Sequence, residues 1–157
     1  EIGGQSDLSL AAIPDDSMGA DTLELKLQNR LSELRRLSRH LQDFGERHGL
    51  PPRCVFEINF ALEEILSNII SYGFCDDKAH WITVRLRLEG ETLTIRVKDD
   101  GRYFNLSQVQ PPEIHCPLEK RSIGGLGIFF IRKFMDRIVY ERRRDTNVLT
   151  LKKQIRR

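Results

Sequence analysis

Between Phe56 and Gly73 the chain reads FEINFALEEILSNIISYG, with apolar residues at Ile58, Ala61, Leu62, Ile65, Leu66, Ile69 and Ile70. That i, i+3, i+4, i+7, i+8 recurrence is the pattern of a helix with one broad buried face. On such a helix Glu64 and Asn68 are one turn apart and point the same way. They lie at the margin of the apolar stripe, where a cleft can begin. A carboxylate and a carboxamide placed there can hold a divalent cation and orient a water or hydroxyl beside it. Taken alone, the pair fits the solvated edge of an amphipathic helix at least as well.

A chain of 157 residues is long enough for one domain with a sizeable core. A net charge of +2 gives no argument for nucleic acid. The basic residues are dispersed, apart from Arg142 to Arg144 and the tail Lys152, Lys153, Arg156 and Arg157, which read as solvated ends. No apolar run approaches membrane-spanning length and no signal peptide stands out, so a cytoplasmic protein without a membrane partner is expected. The first residue is Glu and not Met, which reads as processing, a tag or a piece of something longer. The cysteines Cys54, Cys75 and Cys116 are widely spaced, and no Cys/His cluster suggests zinc. Reduced thiols are the expected state.

Residues 1 to 20 show little periodicity and read as a flexible leader or linker, followed by one domain over 21 to 157. Thr22 to Gln28 alternates as a half-buried strand. Asn29 or Ser32 is placed to cap a helix that carries Leu31, Leu34, Leu37, Leu41 and Phe44 to about His48. Gly49 ends it, and Pro52 opens the second helix. Trp81 to Leu88 and Thr92 to Val97 are alternating strands joined at Glu89-Gly90-Glu91. Asp99-Asp100-Gly101 follows, where the sheet gives out. Residues 102 to 123 form a long connection of the kind that serves as a lid or binding loop. Gly124-Gly125-Leu126-Gly127 then opens an apolar helix to about Met135. Asp136 to Glu141 and Asn147 to Lys153 close the chain as a hairpin turning at Asp145-Thr146-Asn147, with Asn147 suited to a left-handed conformation. The order predicts an α+β fold, a two-layer sandwich with helices on one face of a mixed, mostly antiparallel sheet.

Three segments then converge: Glu64 and Asn68, Asp99 and Gly101, and the glycines at 124 to 127. Each has a use in nucleotide binding. Asn68 can offer an oxygen to Mg²⁺. Glu64 can accept a proton from an attacking hydroxyl or water. A buried Asp99 can accept a hydrogen bond from an exocyclic amine such as that of adenine. Gly101 lets the backbone approach a base. Gly124, Gly125 and Gly127 let the amides wrap phosphates at a helix N-terminus. Each segment alone also reads as something plain: a helix edge, a turn, a helix entry. Their order and the intervening lid are what point to a nucleotide site.

In that order FALEEILSNIISYGF, VKDDGRYFN and RSIGGLGIFFIRKFMD resemble the N, G1 and G2 boxes of the ATPase superfamily that includes gyrase, histidine kinases and MutL, the Bergerat fold. They are most similar to its anti-sigma factor serine-protein kinase branch, the RsbW-like proteins. The likeness spans roughly residues 21 to 155. It implies an ATP-binding anti-sigma-type regulator and serine/threonine protein kinase that phosphorylates an anti-anti-sigma (STAS-domain) partner. It implies ATP and Mg²⁺ as cofactors, with Asn68 as the metal ligand and Glu64 as the general base. Asp99 and Gly101 would meet the base, and Gly124, Gly125, Leu126 and Gly127 would line the nucleotide. Arg121 would reach the terminal phosphate, or else be an exposed lid residue. A sigma factor is a further implied partner. A homodimer through the first strand or helix is also an expectation. Tyr103, Asn105 and Thr146-Asn147 depart from the residues common in the superfamily. The alternative function is a nucleotide-binding, partner-switching module without phosphoryl transfer. A histidine-kinase catalytic domain fits less well, because no phosphoacceptor-His helix precedes the nucleotide segments.

Overall fold

Alternation along the strands decides which face of the sheet is covered. In the computed structural model, which describes residues 21–103 and 126–157, β1 (Thr22–Gln28) buries Leu25 and Leu27 and turns Glu24 and Lys26 to solvent. The helices α1 (Glu33–Arg47) and α2 (Pro52–Tyr72) follow. Then come β2 (Trp81–Glu89), β3 (Thr92–Asp99), α3 (Leu126–Phe134), β4 (Arg137–Arg143) and β5 (Thr146–Gln154). The five described strands lie in the order β1-β2-β3-β5-β4, and the four pairings among them are antiparallel. The predicted α+β two-layer sandwich is the observed fold, with a sheet that is antiparallel at every described pairing and not mixed.

The apolar stripe of α2 is what the sheet covers. Ile58, Ala61, Leu62, Ile65 and Leu66 are at most 1% exposed and form one core with Val84, Leu86, Ile95, Val97 and Leu151. Each such Leu or Ile contributes about 1.5–3 kcal/mol by leaving water. The α1 helix adds Leu37, Leu41 and Phe44 to the same core. It ends as expected at Gly49, whose φ is +60°. The Leu50 N–H bonds the Gly45 carbonyl at 2.9 Å and the Gly49 N–H bonds Glu46 at 3.2 Å, which satisfies carbonyls left open by the helix end. Pro52 is the first residue of α2. Gly90, with φ +61°, takes the first central position of the β2–β3 hairpin, where a side chain would be strained.

Three expectations need correction. Ser32 sits in a helical conformation and its side chain caps nothing. Asn29 instead bridges to the segment before β2, donating to the Lys78 carbonyl and accepting from the His80 N–H. The β4–β5 turn lies at Arg144-Asp145, and Arg144, not Asn147, adopts the left-handed conformation (φ +56°). Asn147 is already inside β5, opposite Asp99. Cys54 is a buried free thiol, but Cys75 is disulfide-bonded, contrary to three reduced thiols.

Because side chains alternate, Asp99 shares the helix-facing side of β3 with Leu93, Ile95 and Val97. A carboxylate is thereby carried under α2 at one end of the core. At the other end Lys153 of β5 meets Glu57 of α2 at 2.6 Å and donates to the Phe134 carbonyl at 2.7 Å. A cavity of about 530 Å³ opens beside that pair, lined by Arg53, Cys54, Lys133 and Arg156 among others.

Candidate functional site

Three elements bring polar groups to the end of the sheet where β3 stops. The first is α2, whose period holds Ile65 and Leu66 in the core and leaves Glu64 and Asn68 half-buried at its margin. Several other polar side chains of this helix are already engaged. Glu57 accepts from Arg53 and Lys153, and Ser38 bonds both Asn59 and Glu63. Among the described residues, the carboxylate of Glu64 and the carboxamide of Asn68 have no hydrogen-bond partner. They are free to serve a ligand.

The second element is the end of β3. Asp99 is 7% exposed. Its Oδ1 accepts from the Gly101 N–H at 2.8 Å and from Asn147 Nδ2 at 3.0 Å. Its Oδ2 has no partner among the described residues. Burial raises its pKa above the ordinary aspartate value, although the bonds from Asn147 and Gly101 act the other way. Such a carboxylate holds one oxygen fixed and keeps the other as an acceptor, as recognition of an amine requires. Gly101 is buried, and a Cβ there would lie 2.7 Å from Asp99 Oδ1 and 2.8 Å from the Gly73 carbonyl. No side chain fits at this position.

Asn68 and Asp99 line one cleft with Ile65, Tyr72, Tyr140 and Leu149. Its lining is mostly apolar side chains with a few convergent polar groups, which suits a heteroaromatic ring. The space now open is about 30 Å³, so a purine enters only if side chains such as Tyr72 and Tyr140 move.

The third element is α3. Its second residue, Gly127, lies against Glu64: a Cβ at 127 would overlap Glu64 Oε2 and approach its Cδ to 3.0 Å. The α2 carboxylate therefore reaches the first turn of α3, where the helix dipole is positive. Arg121, Gly124 and Gly125 lie outside the described residues, and Leu126 is the first residue of α3. The structure thus brings Glu64, Asn68, Asp99, Gly101 and Gly127 to one end of the sheet.

Asn147 was missed as a site residue. It is 5% exposed. Its Nδ2 donates to Asp99 Oδ1, to the Gly101 carbonyl (3.1 Å) and to the Arg102 carbonyl (2.9 Å). Its Oδ1 accepts from the Tyr140 hydroxyl (2.5 Å) and from Arg142 (2.8 Å). The signal available in the sequence was the pairing of the last two strands, which puts Asn147 beside Asp99. The departure at Tyr103 also finds a setting: its ring meets Tyr140 edge-on, with centroids 5.3 Å apart.

A helix-covered antiparallel sheet with a carboxylate at the end of its central strand, and Glu and Asn side chains without partners among the described residues on the helix above, is an α+β domain of the kind that can hold a nucleotide. Residues 27–153 match the model of the histidine kinase-like ATPase domain. The chain belongs to that family, in its RsbW-like serine-protein kinase branch. It is 30% identical over 119 residues to the serine-protein kinase RsbW of Listeria innocua, covering 73% of this chain and 74% of that one. It is 29% identical over 111 residues to the serine/threonine-protein kinase BtrW of Bordetella bronchiseptica, covering 71% and 78%. The fold resembles the crystal structure of the RsbU and RsbW domains of Rv1364c from Mycobacterium tuberculosis, with a TM-score of 0.64 and 16% identity. That match covers 87% of this chain and 33% of the other. No described helix is long and apolar enough to cross a membrane.

Proposed function

We propose that this protein is an ATP-dependent serine/threonine protein kinase that transfers phosphate to a Ser or Thr of an anti-anti-sigma, STAS-domain partner. In the same reading it also sequesters a sigma factor, acts in the cytoplasm and works as a homodimer. The observation that supports the catalytic part is the pair Glu64 and Asn68, without a hydrogen-bond partner among the described residues, on a helix whose Glu57, Asn59 and Glu63 are engaged.

The residues present fit Mg-ATP. Asp99 Oδ2 takes the exocyclic amine of the base, and Gly101 keeps the nearby backbone clear of side chains. Asn68 offers a carbonyl oxygen to Mg²⁺, which takes oxygen ligands. Leu126 and Gly127 place the positive end of α3 near Glu64, and by resemblance Arg121, Gly124 and Gly125 complete the phosphate contacts. When bound, Mg-ATP supplies the phosphoryl group and a dication that offsets its charge. Glu64 accepts the proton of the incoming hydroxyl. Support comes from the family membership and from relatives named as serine-protein kinases.

The test is transfer of labelled phosphate from ATP to a purified STAS-domain protein. Wild type is expected to label a Ser or Thr of the partner, and Glu64→Gln to lose the transfer while still binding nucleotide. Undiminished transfer by Glu64→Gln would remove Glu64 as the base. Nucleotide binding without transfer to any such partner would leave a partner-switching module instead of a kinase.

A further inference from the structure

At the rim of the cleft, where Gly73 and Arg102 line it, the connection from α2 to β2 folds back against the end of β3. The Arg102 N–H bonds the Gly73 carbonyl at 2.8 Å, so two backbone segments run side by side there. A second tie between them is made by His80. Its Nε2 lies 2.6 Å from Asp76 Oδ1 and its Nδ1 lies 3.3 Å from Asp100 Oδ1. The ring stacks on buried Phe74, with centroids 4.1 Å apart and planes 12° from parallel. Asn29 fixes its backbone on both sides, accepting the His80 N–H at 2.9 Å and donating to the His80 carbonyl at 3.1 Å.

A neutral imidazole has one N–H and one lone pair. Here both ring nitrogens face carboxylate oxygens, so a neutral ring must set a lone pair against one of them. Two N–H donors, and therefore the imidazolium, satisfy the geometry. The charged groups facing the ring are Asp76 on its own connection and Asp100 at the end of β3. Lys78 reaches Asp76 through its backbone N–H at 3.0 Å. From the β1–α1 side, among the described residues, neutral Asn29 bonds the His80 backbone. Asp100 stands between Asp99 and Gly101, the two positions assigned to the base.

We propose that His80, held as an imidazolium between Asp76 and Asp100, is a positioning residue for the nucleotide: it ties the Asp99–Gly101 backbone to the connection after α2, so that binding tightens when His80 carries its proton. This rests on the nucleotide reading of the cleft. The hydrogen bond to Asp76 is foremost in raising the histidine pKa, with both carboxylates adding charge attraction and burial opposing. A raised value places the clamp in force below the ordinary histidine range and releases it as pH rises through the folded value.

Calorimetric titration of Mg-ATP at pH 6, 7, 8 and 9 into wild type, His80→Gln and Asp100→Asn tests this, with circular dichroism confirming the fold of each. The titration of ATP itself is common to all three and cancels in the comparison. Wild-type affinity is expected to fall by about fivefold more across this range than that of His80→Gln. At pH 9 the two should bind alike, and Asp100→Asn should show a reduced pH dependence. Parallel profiles for wild type and His80→Gln would overturn the proposal. NMR of the imidazole gives a readout independent of nucleotide. A His80 pKa at or below the ordinary value sinks the clamp whether or not ATP binds. Absence of ATP binding at any pH, with a raised His80 pKa, would instead overturn the nucleotide reading and with it the positioning role.

Discussion

Asn147 Nδ2 lies 3.0 Å from Asp99 Oδ1, across the β3–β5 pairing that sets the two residues opposite each other. The bond joins the last strand of the fold to the carboxylate that reads the base in the proposed site. The same carboxamide reaches the carbonyls of Gly101 and Arg102, and so holds the chain as it leaves β3. Asn147 is buried, so none of these bonds can be replaced cheaply by water.

Replacing Asn147 by Ala should therefore cost stability as well as affinity. We expect a loss of about 2 kcal/mol in unfolding free energy, the scale for leaving buried polar groups unpaired. Urea unfolding measures it. A loss under about 0.5 kcal/mol, the level of an ordinary surface change, would show that the network is not structural.

Asp99→Asn separates function from stability. Burial raises the Asp99 pKa, so the ionised group destabilises the fold, and this cost is fully present above the folded value. Stability contributed by this residue falls as pH climbs from the unfolded to the folded pKa. At neutral pH the Asn variant should melt no lower than wild type, because Asn keeps an acceptor for the Gly101 N–H. Its affinity for ATP should drop by at least about tenfold through loss of a charged acceptor. Thermal melts and calorimetry check both parts. A variant that binds ATP normally would remove Asp99 from base recognition.

Gly127→Ala tests the approach of α2 to α3. The added Cβ overlaps the Glu64 carboxylate, which must swing away. Phosphate transfer should fall by about tenfold or more, as for a displaced catalytic group. Nucleotide binding should change less. Equal losses in both would mean that the glycine serves the phosphates and not Glu64.

At the far end of the core the Glu57–Lys153 pair should behave as a buried ion pair. Lys153→Met leaves the buried Glu57 carboxylate with only its bond from the exposed Arg53 and should cost up to about 3 kcal/mol. Adding Glu57→Gln to it should recover part of that loss. Burial pushes the Glu57 pKa up, but the bonds from Lys153 and Arg53 outweigh it, so the net value is lowered. The pair's contribution is then present above the unfolded glutamate pKa and lost as pH falls through the folded one. Additive single and double losses would show that the pair carries no coupling.

The sequence made the helices and strands legible because their periods are strong: Ile58 to Ile70 repeats as a helix, and Ile82 to Leu88 alternates as a strand. Glu64, Asn68, Asp99 and Gly127 were legible through their spacing and resemblance, and the structure brings them to one end of the sheet. Asn147 was not, because Asn after Asp-Thr looks locally like a turn residue. Only the cross-strand register, a non-local fact, converts it into a partner of Asp99. The same shift moved the left-handed residue to Arg144, where nothing in the side chain announces it. The His80 clamp was hidden for a similar reason: Asp76, His80 and Asp100 are brought together by the folding back of one connection.

The most direct test of the central claim, that the cleft between α2 and the end of β3 is a Mg-ATP site, is calorimetric titration of Mg-ATP into wild type and Asn68→Ala. Micromolar binding by wild type, weaker and less dependent on Mg²⁺ in Asn68→Ala, is the predicted result. No binding by the folded wild-type protein would contradict it, and the domain would then have to act through its surfaces without nucleotide.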